Sequence, residues 1–569
     1  MGENTQPSAL ETALRETRRG LAVVAALSLF LNLLVLVSPL YMLQIFDRVL
    51  SSGHIETLLA LTVVATFALL VFGMLEVIRR QALARIAAWL DRTLSEPVLA
   101  ASVGEALAGR ATGGQPLRDL AQLRGFIGSE SVFPVFDAPW TLVFIVVIWL
   151  LHPWLGALAL VSSALLLALA LGNELMMREP LKQAGEGWLH AQRRGEAAVR
   201  NAEVVHAMGM LPALLRGWHR DTDRALGQQV MAGDRGAVFV GAAKFLRLFV
   251  QVGILGLGAW LVLRGELTGG GMIAGSILLG RALAPLEQAI AAWRGLVAAR
   301  ASHNRLQLLL RRHPGRAPAI RLPVPEGRVS VERLAFKAPN GDRLLLKGVA
   351  FELDAGEMLA VIGPSGSGKS TLCRLLTGIW PPSSGHVRLD GAEVHAWDRA
   401  DFGRYVGYLP QDVALFAGTV RDNIARMTEA PDEAVIAAAR LAGAHETILQ
   451  LPDGYATEIG PQGAALSGGQ RQWIGLARAM FGGPRLVVLD EPNASLDQAG
   501  EAALVDAIGR LKGQGTTVIL VAHRPSLLRH VDSLLVLRDG AAVLFGARDE
   551  ILPRLMVQRP VPAVTAASA

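Results

Sequence analysis

The sequence predicts an α-helical membrane domain of six transmembrane helices joined to an α/β P-loop nucleotide-binding domain. Three observations carry that prediction. Apolar residues make up 51% of the 569-residue chain, and their excess lies before Lys369, in stretches of the length a bilayer requires. Gly363-Pro364-Ser365-Gly366-Ser367-Gly368-Lys369-Ser370-Thr371 stands between an apolar run, Met358 to Ile362, and a helical pattern. Further along, Leu466-Ser467-Gly468-Gly469-Gln470 precedes Leu486-Val487-Val488-Leu489-Asp490-Glu491.

Crossing a bilayer takes about 20 apolar residues in a helix. Such stretches lie near Leu21 to Leu43, Thr57 to Val77, Phe133 to Leu151, Trp154 to Leu171, Phe245 to Leu263 and Gly271 to Ala292. The first is too long for a signal peptide and has five successors. Arg15, Arg18 and Arg19 precede the first span and Arg79, Arg80 and Arg85 follow the second, while 47–56 and His152-Pro153 carry no positive excess. The positive-inside rule therefore puts both termini in the cytoplasm. Long charged stretches of helical pattern separate the second span from the third and the fourth from the fifth, and they are expected to project into the cytoplasm. Pro314, Pro318, Pro323 and Pro325 mark a linker, because proline ends helices and stiffens the chain. The expected division is a cytoplasmic N-terminal segment (1–19), a membrane domain (20–312), a linker (313–327), a nucleotide-binding domain (328–556) and a disordered Pro/Ala-rich tail (557–569).

The net charge of +6 comes without a basic stripe interleaved with aromatics, so nucleic acid is not expected as a partner. Cys373 is the only cysteine, which excludes a disulfide framework and a cysteine-ligated metal. Its place in the helix after the glycine-rich turn suits a small buried hydrophobe.

A glycine-rich turn between strand and helix aims backbone N–H groups at phosphate oxygens, and Lys369 adds a point charge. Ser370 is placed to ligate Mg²⁺. Asp490, ending a buried apolar strand, suits a Mg²⁺ ligand through water, and Glu491 is placed as the base that polarises the attacking water. Ser467, Gly468 and Gly469 open a helix and so form a second anion site.

The Ser467-Gly468-Gly469-Gln470 signature, in this order with the other two motifs, resembles the ATP-binding-cassette (ABC) family. That resemblance implies ATP with Mg²⁺, the metal held by Ser370, Gln411 and Asp490. It makes Gln411, in Tyr408-Leu409-Pro410-Gln411, the sensor of the γ-phosphate region and His523, in Val521-Ala522-His523-Arg524, the switch histidine. It implies a homodimer in which Ser467 to Gln470 closes over ATP held by the other cassette, with Asp497 in a loop crossing that interface. Short coupling helices are implied near Leu117 to Arg124 and Asn201 to Met210. Where many cassettes carry an aromatic platform for adenine, this chain reads Phe336-Lys337-Ala338-Pro339, and Ala338 cannot stack.

The membrane half is similar to the permease/ATPases of bacterial type I secretion, in the PrtD-like branch. The resemblance rests on Tyr41-Met42-Leu43-Gln44-Ile45-Phe46-Asp47-Arg48, Phe136-Asp137-Ala138-Pro139-Trp140, Asn201-Ala202-Glu203 with Met208-Gly209-Met210, and Gly280-Arg281 with Pro285-Leu286-Glu287-Gln288. It implies an inner-membrane component, embedded in the lipid bilayer, that exports unfolded proteins with uncleaved C-terminal signals. Its implied partners are a periplasmic membrane-fusion adaptor, an outer-membrane channel and the secreted protein. The short stretch before the first span leads us to expect no leader-cleaving peptidase domain. The alternative is a lipid, polysaccharide or drug exporter of the same architecture. Arg281, within the sixth span, is costly toward lipid. Two readings stay open for it, an electropositive lining of the substrate path and pairing with an acid of a neighbouring helix.

Overall fold

The computed structural model describes residues 8–110, 113–314, 322–338, 341, 343–460, 463, 465–522 and 524–557. They form two compact units, one within Met1–Ala106 and Ala111–Gly315, the other within Leu107–Arg110 and Arg316–Ala569.

The first unit is built from helices far longer than a bilayer is thick. Ile55–Leu107 and Leu211–Leu263 each run 53 residues, Pro153–Arg200 48 and Gly269–Arg312 44. At about 1.5 Å per residue the longest span about 80 Å, against a hydrocarbon core of about 30 Å, so roughly 50 Å of each extends beyond lipid. The side chains change accordingly along Ile55–Leu107. Its first turns expose Leu59, Val63, Val64, Phe67 and Leu70, whereas Leu83, Leu90, Leu94 and Val98 further on form a buried stripe at helical spacing. Leu90, Leu94 and Val98 pack with Leu120, Leu123, Leu306 and Leu309, and also with Leu10 and Ala13. Residues 9–19 are the first turns of the Ala9–Val35 helix, capped by Ser8, whose side chain accepts from the Glu11 N–H at 3.2 Å.

Among the described residues five helices are long and apolar enough to cross a membrane, and the pair Glu130–Asp137 and Trp140–Leu151, bent by 51°, passes the same test when taken together as a sixth candidate. The third span expected over Phe133 to Leu151 thus coincides with a bent pair of helices rather than one helix. Pro139, at the break, has no N–H to donate and its ring obstructs a continuous helix. The bend is held by Arg79, the first of the arginines after the second span, which is only 7% exposed. Its guanidinium donates to both Asp137 oxygens at 3.2 Å and to Ser28 Oγ at 3.0 Å, and pairs with Glu76 at 2.8 Å. Asn32 Nδ2 donates to the same carboxylate at 2.9 Å, and the Phe133 ring lies 3.9 Å from the guanidinium carbon. A buried charge persists only when paired and hydrogen-bonded, and this one ties the first three spans together at the bend.

Helices form at both places where the resemblance implied coupling helices, Gln115–Ile127 and Ala202–Ala207. The first is internal to its unit. Leu120 and Leu123 are buried, and Asp119 accepts from Arg305 at 2.6 and 2.8 Å. Leu107–Arg110, just before it, groups with the second unit instead.

The strands of the second unit are β1 (Val329–Lys337), β2 (Leu344–Leu353), β3 (Met358–Ile362), β4 (Ser384–Leu389), β5 (Ala392–Glu393), β6 (Val406–Leu409), β7 (Gly418–Thr419), β8 (Glu458–Ile459), β9 (Leu486–Asp490), β10 (Thr517–Val521), β11 (Ser533–Arg538) and β12 (Ala541–Ala547). The central sheet has the order β12-β11-β3-β10-β9-β6, parallel except for β12. A second, antiparallel sheet has the order β2-β1-β4-β5. β9 and β10 are buried along their whole length, as parallel strands covered on both faces must be, which is why they read as unbroken apolar runs.

Candidate functional site

The parallel strands β3, β9 and β6 deliver the predicted residues to one edge of the sheet, where their carboxyl ends open onto a crevice. Gly363 follows β3, Asp490 ends β9 with Glu491 next, and Gln411 comes two residues after β6. Because β6 and β9 are neighbours in register, Leu409 beside Leu489, the two loops emerge side by side. Gln411 Nε2 donates to Glu491 Oε2 at 3.2 Å.

Residues Gly363 to Gly368 make the turn between β3 and the Lys369–Leu376 helix. Two glycines are required there. A Cβ on Gly363 would lie 2.2 Å from the Leu537 carbonyl oxygen, and one on Gly368, where φ is +101°, 3.0 Å from that of Leu345. Pro364, Ser365 and Gly366 form the exposed rim, and Ser367 is buried. Lys369 is 6% exposed and arches back, its Nζ donating to the Gly363 carbonyl at 2.9 Å and to that of Pro364 at 3.0 Å. Burial pulls its pKa down, while the nearby Glu491 and Asp490 charges oppose the fall. Ser370 and Thr371 follow in the first turn of the helix.

Asp490 is 2% exposed. Burial pushes its carboxyl up, a hydrogen bond from Ser370 pulls it down, and the adjacent Glu491 charge adds to the rise. Its Oδ1 is buried without a hydrogen-bond partner. A hydroxyl and an under-satisfied carboxylate side by side are hard oxygen donors that suit Mg²⁺, which keeps most of its positions for water and phosphate. Among the described residues no three His, Cys, Asp or Glu side chains could hold a metal by themselves. Glu491 sits at φ +53°, a left-handed conformation unusual for a residue with a side chain and one concentrated at functional sites.

Two family models match the chain, "ABC transporter" over residues 346–494 and "ABC transporter transmembrane region" over 21–283. The type I secretion system ATP-binding protein PrsD of Rhizobium meliloti is 43% identical over 558 residues, 98% of this chain and 95% of that protein. The chain belongs to the ABC transporter family. Within it, the chain groups with the ATP-binding proteins of type I secretion. The toxin RTX-I translocation ATP-binding protein of Actinobacillus pleuropneumoniae is 30% identical over 92% of this chain and 75% of its own length. The same figures hold for the alpha-hemolysin translocation ATP-binding protein HlyB of Proteus vulgaris. A bacterial Atm1-family ABC exporter solved with ATP bound superimposes with a TM-score of 0.82 over 96% of this chain and 99% of that one; at 23% identity the likeness concerns the fold. The chain is a multi-pass membrane protein that binds ATP and couples its hydrolysis to transport.

The signature of this ABC transporter stands apart from the strand ends. Ser467 caps the Gly468–Met480 helix in a reciprocal box, its hydroxyl accepting from Gln470 N–H at 3.2 Å while Gln470 Oε1 accepts from Ser467 N–H at 2.8 Å. Among the described residues no hydrogen bond or ion pair joins this turn to the P-loop. A Cβ on Gly469 would stand 3.3 Å from the Ser495 carbonyl oxygen. Asp497 caps the Gln498–Gly513 helix, accepting from Gly500 N–H at 2.8 Å. Sequence reasoning missed Gln472, whose buried Nε2 donates to the Pro492 carbonyl at 2.9 Å and pins the loop after Glu491 to the signature helix. An amide among the apolar positions of that helix was the signal. His523 lies outside the described residues. Ala338 offers only its backbone N–H, to Arg343 O at 3.2 Å, and the ring nearby, Phe336, is buried in a stack on Trp380. Cys373 is fully buried, and burial raises its pKa well above the ordinary thiol value.

Arg281 lines a cavity of about 620 Å³ in the first unit, with Asn32, Glu76, Arg79, Asp137 and Gln288 among the walls. Glu287, an acid of its own helix, pairs with Arg247 at 3.0 Å. Among the described residues Arg281 makes no ion pair.

Glu491→Gln is expected to keep ATP binding and lose turnover by about 10² to 10⁴-fold, the usual worth of a general base. Lys369→Ala is expected to weaken binding itself. Equilibrium ATP binding and steady-state phosphate release distinguish the two, and near wild-type hydrolysis by Glu491→Gln contradicts the assignment.

Proposed function

We propose that this ABC transporter is the homodimeric inner-membrane exporter of a type I secretion system, with its cassettes in the cytoplasm. It moves unfolded proteins with uncleaved C-terminal signals out through a periplasmic membrane-fusion adaptor and an outer-membrane channel. The observation that carries this reading is the 43% identity, across nearly the full length of both chains, with a type I secretion ATP-binding protein.

In this reading residues 20–312 form the path, 313–327 link it to the cassette, and 328–556 hydrolyse ATP. The backbone from Gly363 to Thr371 cradles the phosphates, and Lys369 turns from the loop carbonyls to their oxygens. Ser370, Asp490 and Gln411 would hold Mg²⁺, which supplies charge neutralisation on the phosphates when bound. Glu491 takes the proton of the attacking water, Gln411 orients that carboxylate, and His523 serves as the switch histidine. One chain supplies one cassette, so Ser467 to Gln470 of one protomer closes over the ATP of its partner and two copies make two composite sites. Arg281 serves as the positive lining of the substrate path.

The composite site is tested by mixed dimers. Ser467→Arg puts bulk and charge at the anion site, and Lys369→Ala empties the P-loop of its cation. A cross-linked dimer of one chain of each retains one intact composite site and is expected to hydrolyse ATP where neither mutant homodimer does. Mixed dimers as inactive as their parents contradict the arrangement.

The cargo class is tested by deleting the gene from its host and comparing secreted proteins. Loss of one or a few proteins is expected, restored by the wild-type gene. Arg281→Glu is expected to restore export of an acidic cargo least well. An unchanged set of secreted proteins with altered lipid or polysaccharide at the cell surface contradicts protein export.

A further inference from the structure

Two arginines outside the motifs join the loop that carries Gln411 to the helix that begins at the signature. Arg478, in the last turn of the Gly468–Met480 helix, donates from Nη1 to the Ala414 carbonyl at 3.0 Å, three residues beyond Gln411. Arg426 donates from Nε to the Arg478 carbonyl at 3.0 Å, from Nη2 to the Ala479 carbonyl at 3.2 Å, and from Nη1 to the Gly403 carbonyl just before β6. Among the described residues neither has an acidic partner. Burial pulls the Arg426 guanidinium down to about 10, so it stays a cation at neutral pH against the negative end of the signature helix. Both Arg426 and Met427 have positive φ, +57° and +59°, so the chain holds an uncommon conformation where it presents this side chain.

The packing beneath these bonds is as close. A Cβ on Gly475, in the signature helix, would lie 2.7 Å from Val413 Cγ1 and 2.9 Å from Leu409 Cδ1. One on Gly407, in β6, would lie 2.0 Å from the Ala479 carbonyl oxygen. The signature helix therefore rests directly on the strand that delivers Gln411 and on the segment after it.

We propose that Arg478 and Arg426 are positioning residues that make the Gln411 loop and the signature helix one mechanical body, so that a cassette's own ATP sets how its signature meets the ATP of its partner. The proposal rests on the composite-site reading. Gln411 attends the nucleotide of its own cassette and the signature that of the other, so a rigid link between them carries occupancy from one site to the second. Without the link each site still binds ATP, but closure at one no longer aligns the other.

The test is a double-mutant cycle on the full-length protein in detergent or vesicles. Arg478→Met is expected to leave the KM for ATP within twofold of wild type. Its kcat falls about tenfold, the scale of one lost charged hydrogen bond that matters only in the closed state. The Hill coefficient for ATP falls toward one. In a Gln411→Ala background the same substitution is expected to change kcat no further, because the link no longer leads to a sensor. Arg426→Lys keeps the charge but cannot span three carbonyls, and is expected to act in the same direction. Arg510→Met, which also removes a guanidinium bonded to a carbonyl (Arg440, 2.9 Å) of this unit, is expected to change none of these values. Multiplying effects of Arg478→Met and Gln411→Ala, or a raised KM with unchanged kcat and cooperativity, overturn the proposal. Mixed dimers of Ser467→Arg and Lys369→Ala separate the two levels. In them the intact site takes its signature from the cassette that has lost its own ATP, so the link predicts partial activity; activity in the mixed dimers while the cycle multiplies drops only the link, and mixed dimers as inactive as their parents drop the composite reading.

Discussion

Parallel strands must end at the same edge of a sheet, and that constraint organises the nucleotide-binding unit. β3, β9 and β6 can each be buried on both faces only as part of a covered parallel sheet, and their exits then crowd together. The glycine-rich turn, the Asp490–Glu491 pair and Gln411 meet because of this, although more than a hundred residues of chain separate the first from Glu491. The crowding also creates the site's electrostatics. Asp490 is raised by burial and Lys369 is lowered by it, each held toward its charged form by neighbours from another strand or turn. Such a site is under-satisfied by itself, as the unpartnered Asp490 Oδ1 is, which suits a site for a phosphate and its cation.

The membrane unit obeys a different constraint, the cost of polar groups at lipid depth. Its helices are continuous through and beyond the apolar layer, so their backbone bonds are satisfied internally. The exception is the third span, and there the break at Pro139 coincides with the Arg79–Asp137–Glu76 cluster. The charges supply bonds where the helix does not run straight. Arg281 is the contrast: it lines the same cavity and, among the described residues, makes no ion pair, which is why it and not Arg79 carries the proposal for the substrate path.

Much of this was legible from residue order. The strand ending at Asp490 was legible because four apolar residues read as a buried strand, and the turn of 363–368 because its glycines stand between that kind of strand and a helical pattern. The long charged stretches after the second and fourth spans kept helical spacing and are helical. What the sequence hid depends on contacts distant in the chain. Arg79 reads as one of three arginines after an apolar span, and nothing local separates it from Arg80 or Arg85, because its partners Ser28 and Asp137 lie on other helices. The bend had a local signal in Pro134 and Pro139, outweighed by the long apolar run around them. Residues 9–19 look polar enough to stand alone, yet Leu10 and Ala13 are spaced to bury one face. Arg426 and Arg478 carry no motif; only their distances to backbone carbonyls single them out.

If the chain exports proteins with C-terminal signals, as proposed, a bound signal peptide changes the rate of hydrolysis at the sheet edge. The direct measurement is the steady-state ATPase rate of the purified protein in lipid vesicles, titrated with a peptide copied from the C-terminus of a protein secreted by the same host. The account predicts a saturable change in rate that a scrambled peptide of equal charge does not produce. A rate indifferent to both peptides yet responsive to the lipid composition of the vesicle would contradict it.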